Sequence, residues 1–380
     1  MWKRAAFYGL LVLIPLVCAE VGSFVVVQTR PDLFDHRDEI LRKFRSEDFQ
    51  RYKTTVASNV LGWDNPAGVQ RLASCLGEQV SYSYDAARVR RHGNRSPQDA
   101  IVVVAGDSYT QGSDAADDDT YPAALERMLD VGVANLGVGG YGPEQALLKL
   151  ENLIDRFPRA RVAVLSILFD DTPRMMNSFR PVLYRETGIL FGFKPYLREG
   201  VFQGLVGGDP LRDFEAMRAA AETAFDTDFW RRPRARFPYL IAVARLFYLP
   251  SFWVPLLTQA QSLAPYEAVH RLAAVRGNLH ALFDRFEAFT RSRGLAGVVA
   301  FIPVSDSDQI TGAVAISAAS AAQRQALTFV DVTIKDWGEF FVGPGCHPSA
   351  RGYAAIAANV ATAVRPLLDR RRDDHPAVLR

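Results

Sequence analysis

The fold class that the sequence predicts is α/β, with a mainly parallel central sheet. From residue 100 onward, short continuous apolar runs alternate with segments of helical spacing. The runs are rich in β-branched residues and lack polar alternation, so they read as strands buried on both faces. Strand–helix alternation of this kind is how parallel strands are joined.

Ile101 to Ala105 is the first strand and ends at Gly106. Tyr121 to Leu129 has helical spacing, with Asp119 and Thr120 as cap candidates and Pro122 in its first turn. Val131 to Leu136 is a second strand, Glu144 to Ile154 a helix, and Val162 to Phe169 a third strand. Residues 179–266, rich in Pro, Arg and aromatics, then break the alternation and read as a partly helical insertion (about 180–270). Its aromatics fit a packed subdomain, a lid or substrate wall, or a contact with a membrane surface. Beyond it, Leu272 to Arg291 is an amphipathic helix and Gly297 to Val304 a buried strand. Ala313 to Ala326 reads as a helix, Thr328 to Val332 as a last strand, and Tyr353 to Leu367 as a closing helix. The tail from Asp369 is expected to be solvated.

The N-terminus carries a targeting signal. Lys3 and Arg4 precede an apolar stretch from Ala5 to Ala19, and after Glu20 apolar character resumes from Phe24 to Val27. A positive flank followed by such a run reads as an export signal. Val17-Cys18-Ala19 offers a small-residue cleavage site, yet the stretch through Val27 is about long enough to span a bilayer. The expectation is an uncleaved signal anchor over residues 1–30, with Lys3 and Arg4 cytoplasmic and the remainder extracytoplasmic. Residues 31–98 form an N-terminal extension, and 99–380 the main domain with its insertion.

Composition narrows the function. The chain is 49% apolar with a formal charge of +2, which excludes wholesale disorder. No basic block interleaved with aromatics stands out, so nucleic acid is not an expected partner. Of the three cysteines, Cys18 lies in the apolar run, and Cys75 and Cys346 are free to pair. Their spacing suggests no metal site, and no cofactor is expected.

The strongest local signal is Val104-Ala105-Gly106-Asp107-Ser108-Tyr109-Thr110-Gln111-Gly112. A serine just past the C-terminal end of a buried strand sits where α/β sheets place ligands, and the glycines let the backbone turn sharply. An ordinary strand-to-loop turn has the same composition. A serine hydroxyl needs a base within reach to act as a nucleophile. Among six histidines, His36, His92, His270, His280 and His375 read as surface or packing residues. His347, before the last helix, is the candidate base.

These segments together resemble the SGNH (GDSL-like) hydrolase superfamily. Gly106 to Gly112 resembles block I, which holds the nucleophile. Asn135-Leu136-Gly137-Val138-Gly139-Gly140-Tyr141-Gly142 resembles block II, and Cys346-His347-Pro348-Ser349-Ala350-Arg351-Gly352-Tyr353 resembles block V. The resemblance covers residues 101–178 and 298–367. It implies a three-layer α/β/α flavodoxin-like fold, Ser108 as nucleophile, His347 as general base, and the N–H groups of Ser108 and Gly140 as oxyanion donors.

Two positions depart from the pattern. In Ile167-Leu168-Phe169-Asp170-Asp171, Asp170 stands where the family has the asparagine that donates to the oxyanion. An ionised carboxylate cannot donate; Arg174 and Asn177 are substitutes on reach. Pro344 stands three residues before His347, where the family has the orienting aspartate. Asp331, Asp336, Glu339 and Asp171 are alternatives, and the orienting acid is left unassigned. Arg174, Arg180 and Lys194 fit either a substrate rim or ion pairs with Asp170 and Asp171. Asp114 and Asp117 to Asp119 read as acids that solvate their loop.

The functional expectation is a serine-dependent acyl-ester hydrolase or O-acyl (acetyl) transferase. Its partner would be a small-molecule or glycan acyl ester, with a polysaccharide favoured, and the membrane would be engaged through the N-terminal helix. The rival is a catalytically degenerate SGNH domain that binds glycan or scaffolds the envelope. A broad lipase with the insertion as its lid is a third reading.

Overall fold

The computed structural model describes residues 2–93, 95–185, 188–260, 267–304 and 326–374. Its frame is a five-stranded sheet of β1 (Val102–Ala105), β2 (Val133–Asn135), β3 (Val162–Leu168), β4 (Ala296–Ile302) and β5 (Leu327–Asp331). The spatial order is β2-β1-β3-β4-β5, and every pairing is parallel. This is the flavodoxin-like order, in which the chain switches direction of travel across the sheet between β1 and β3. A crevice opens there, beyond the carboxyl ends of the two strands.

Seven helices matter below: α1 (Trp2–Thr29), α2 (Tyr121–Leu129), α3 (Pro143–Leu153), α4 (Tyr239–Leu246), α5 (Pro250–Ala260), α6 (Ala273–Ser292) and α7 (Ala350–Asp374). Alternate strand residues point to opposite faces, so each β-branched run feeds two cores. Val102, Val104, Val162, Val164 and Val298 pack with α2 and α7. Val103, Ala105, Ala163, Leu165 and Val299 pack with α3 and α6. The result is the three-layer α/β/α arrangement. Thr120 caps α2 by accepting from the Ala123 N–H, and Pro122 fills the first turn where no N–H is needed.

One detail differs from the sequence reading. Helix α7 continues to Asp374 rather than ending at Leu367, since Arg370 to Arg372 are good helix formers. The helix expected over 313–326 lies almost wholly outside the described residues.

The aromatics of the insertion are mostly core. Phe179 and Phe193 stack at 4.4 Å and join Phe191 and Phe225 in a cluster closed by Ile40, Phe44 and Phe49 from the N-terminal extension. The extension also forms hairpins over Ala57–Trp63 and Gly68–Tyr84 that lie against the loops after β1 and β2. Helix α1 is apolar, with a mean hydropathy of 2.5 over its best window, and long enough to cross a bilayer. Only its last turns are covered by protein: Val26 and Val27 pack with Phe34, Tyr239, Ala242 and Leu246. Glu20, a charge inside this helix, is satisfied there, its carboxylate accepting from the N–H groups of Tyr239 (2.6 Å) and Leu240 (2.9 Å) at the start of α4.

Candidate active site

Strand β1 delivers Gly106, Asp107 and Ser108 to the mouth of the crevice. A Cβ on Gly106 would lie 2.1 Å from Thr110 Oγ1 and 3.1 Å from the Ser166 Cβ, so only glycine fits. Ser108 opens a single helical turn, Ser108–Gln111, capped by Asp107. Asp107 Oδ1 accepts the Tyr109 N–H at 3.0 Å, and its Oδ2 accepts the Ser108 hydroxyl at 3.1 Å. Among the described residues no group accepts the backbone N–H of Ser108 or of Gly140.

His347 reaches the same place from the loop before α7. Its Nδ1 lies 3.0 Å from Asp114 Oδ2. Asp114 is itself fixed on three sides. Its Oδ1 accepts the Cys75 N–H at 2.9 Å, its own N–H donates to the Tyr82 hydroxyl at 2.9 Å, and its backbone is left-handed (φ 62°). That conformation suits aspartate better than most residues. Cys75 and Cys346 form a disulfide with Cα atoms 5.7 Å apart, so the partner of Asp114 and the neighbour of His347 are one covalent unit. The edge of Tyr109 packs on the imidazole at 5.7 Å between centroids. Burial pushes the Asp114 carboxyl upward, but the His347 ring and the Cys75 N–H outweigh it and hold the group below its ordinary value. With Nδ1 engaged by a carboxylate, Nε2 is the nitrogen left to take a proton.

Asp114 is the residue the sequence reading assigned wrongly. It is no solvating loop acid: its side chain is only 9% exposed. Asp331, Asp336 and Glu339, the acids nearest His347 in sequence, are exposed, and Asp171 is committed to Arg174. Two signals pointed to Asp114. It follows the nucleophile turn closely, and Cys346 beside His347 had a partner in Cys75.

Ser108 and His347 line one cavity of about 690 Å³. Tyr109, Leu168, Val304 and Phe341 supply its apolar wall, and Asp170 and Arg174 its polar one. Gly140, in the left-handed region at φ 77°, does not line it, and neither does any described residue of the insertion.

Arg174 sits among three carboxylates. It donates through Nη2 to Asp170 Oδ2 at 2.9 Å and through Nη1 to Asp171, and its Nη1 lies 3.9 Å from Asp107 Oδ2. Burial drives the carboxyls of Asp107 and Asp171 upward, and Arg174 opposes this for both. The other Asp170 oxygen is buried and has no partner among the described residues. Asp170 therefore occupies the asparagine position as an acceptor, with a guanidinium behind it that offsets its charge. Asn177, the other substitute, is turned away, donating to Phe179 O and Asp228. Of the two readings of Arg174, Arg180 and Lys194, a substrate rim or a solvated and ion-paired set, the rim keeps only Arg174, the one of the three that lines the cavity. Lys194 is wholly buried on Glu144 and three carbonyls, and Arg180 is buried over the Tyr184 ring at 4.3 Å.

No family model matches the chain, and no curated protein matches it. Among solved structures, a G-D-S-L family protein from Desulfitobacterium hafniense DCB-2 is similar, at 12% identity and a TM-score of 0.31, over 69% of this chain and 98% of that one. So loose an overlap carries nothing about activity.

Proposed function

We propose that the chain is a serine-dependent acyl-ester enzyme, with Ser108 as nucleophile, His347 as base and Asp114 as the acid that orients it. The observation that supports this most is the meeting of Ser108 and His347 in one cavity, with the imidazole Nδ1 held by a buried carboxylate.

In this reading His347 Nε2 takes the Ser108 proton as Oγ bonds to the ester carbonyl carbon. The carbonyl oxygen becomes an oxyanion met by the N–H of Ser108; the Gly140 N–H, the second donor that the resemblance implies, lies off the cavity wall. The tetrahedral centre collapses, the bond to the leaving alcohol breaks, and His347 returns the proton to that alcohol. Water or a sugar hydroxyl, deprotonated by His347, then releases the acyl group, which gives hydrolysis or transfer respectively. Asp170 supplies no donor, so this oxyanion hole has one fewer than the family pattern. Losing such a donor costs about 10²- to 10³-fold in rate.

The substrate we favour is an O-acetyl ester on an extracytoplasmic polysaccharide, with the enzyme tethered by α1 and its body outside the cytoplasm. The rival, a glycan-binding or scaffolding domain without turnover, draws on one observation, the carboxylate of Asp170 in the cavity wall. The lipase reading draws less support, since none of the described residues of the insertion lines the cavity. A fluorophosphonate probe decides between enzyme and scaffold. The wild type should label, and Ser108→Ala and His347→Ala should not. A folded wild type that stays unlabelled would sink the enzyme reading.

A further inference from the structure

Helices α4 and α5 lie beside the C-terminal end of α1, bent by 61° at their junction. They show an unusual amount of apolar surface. Tyr248 is 86% exposed, Phe237 73%, and Ile241, Phe247, Trp253 and Leu256 are exposed too. So many exposed large apolar side chains along one stretch of chain are costly in water. Trp and Tyr among them are the residues that gather where a bilayer meets water.

The same helix borders a cavity of about 960 Å³ whose lining sets six arginines against two carboxylates. Those two, Glu222 and Asp226, are both taken by Arg37. Arg234 is paired with Asp38. Arg236 and Arg245 are exposed, and among the described residues no carboxylate pairs with either. A guanidinium left this way is suited to a phosphate, which it can bind through two parallel N–H donors.

We infer that α4 and α5 are a second membrane contact, lying in the bilayer surface at the C-terminal end of α1, with Arg236 and Arg245 holding the phosphate of an anionic phospholipid. This rests on the reading of α1 as a membrane anchor. Placement follows from the contacts. Tyr239 touches Phe24 of α1 at 5.3 Å, and Glu20 caps α4, so α4 is fixed at the level where α1 leaves the protein body. Chemistry follows from depth, since aromatic side chains at the acyl boundary leave adjacent guanidinium groups at the phosphates. The 61° bend and the charge of Arg245 favour a place at the surface over a straight crossing of the bilayer.

The test uses the full chain in phosphatidylcholine nanodiscs carrying trace pyrene-labelled phosphatidylglycerol or pyrene-labelled phosphatidylcholine. Energy transfer from Trp253 is read against Trp253→Phe. The expected result is stronger, saturable transfer to the phosphatidylglycerol probe. Arg236→Gln and Arg245→Gln, both at exposed positions, should each weaken it roughly fivefold, as loss of one surface arginine does. Equal transfer to both probes overturns the proposal. So does loss of the preference on adding millimolar inorganic phosphate, which would assign the site to a free anion. Failure of the chain to enter nanodiscs would overturn the anchor as well, whereas entry without preference overturns this proposal alone.

Discussion

Asp114 Oδ2 lies 3.0 Å from His347 Nδ1, joining residues 233 positions apart in the chain. On the proposed reading, the contact places the orienting acid on the nucleophile's own loop, and not on the histidine's. A carboxylate there fixes the tautomer and steadies the imidazolium that forms on proton transfer. Asp114→Asn should keep the fold and lower kcat on p-nitrophenyl acetate by about 10³- to 10⁴-fold. Retention of most activity would remove Asp114 from the machinery.

The acid limb of stability follows from the same residue. Its folded-state value is depressed, so its contribution is complete above the unfolded value of about 3.9 and is lost as pH falls through the folded one. The stability difference between wild type and Asp114→Asn should therefore shrink on acidification below about pH 4. Urea unfolding in detergent at stepped pH measures it. A difference that widens in acid would contradict the depressed value.

Lys194 and Glu144 form a fully buried pair, and Lys194 also donates to the carbonyls of Arg174, Asn177 and Pro195. Lys194→Met strands a buried carboxylate and should cost about 3–5 kcal/mol. Adding Glu144→Leu should recover much of the loss, because no unpaired charge remains. Chemical denaturation of the three proteins compares them. A double variant weaker than Lys194→Met would show that the pair is not the unit.

Arg174→Met leaves Asp107, Asp170 and Asp171 without their shared cation. Fluorophosphonate labelling should fall below detection and the melting temperature should drop. Labelling at the wild-type rate would mean that the cluster plays no part in the site.

Reducing the disulfide should slow probe labelling before it unfolds the protein, since Cys346 adjoins His347 and Cys75 donates to Asp114. The paired substitution Cys75→Ala with Cys346→Ala should cost about 2–5 kcal/mol in denaturant unfolding. Unchanged labelling in that variant would assign the bond a structural part only.

Much of the frame was legible because buried parallel strands are written locally, as apolar runs such as Val102–Ala105 and Val162–Leu168. Ser108 and His347 were legible for the same reason, each standing in a short segment with its own turn chemistry. Asp114 was not. Its role depends on a left-handed backbone, on the hydroxyl of Tyr82 and on a disulfide, none of which shows in the spacing of acids before His347. The arginine-lined cavity was hidden likewise, since it forms only where Arg37 of the extension and Glu222 and Asp226 meet the segment from Arg231 to Leu249.

The bond between Cys75 and Cys346 has a consequence for the integrity of the molecule. It closes a ring of chain 271 residues around, which takes in every strand of the sheet and the nucleophile. A single backbone cut anywhere in that ring opens it but leaves the two pieces tethered, with the base still tied to the hairpin that steadies its acid. The site thus depends less on an unbroken main chain than on two sulfur atoms.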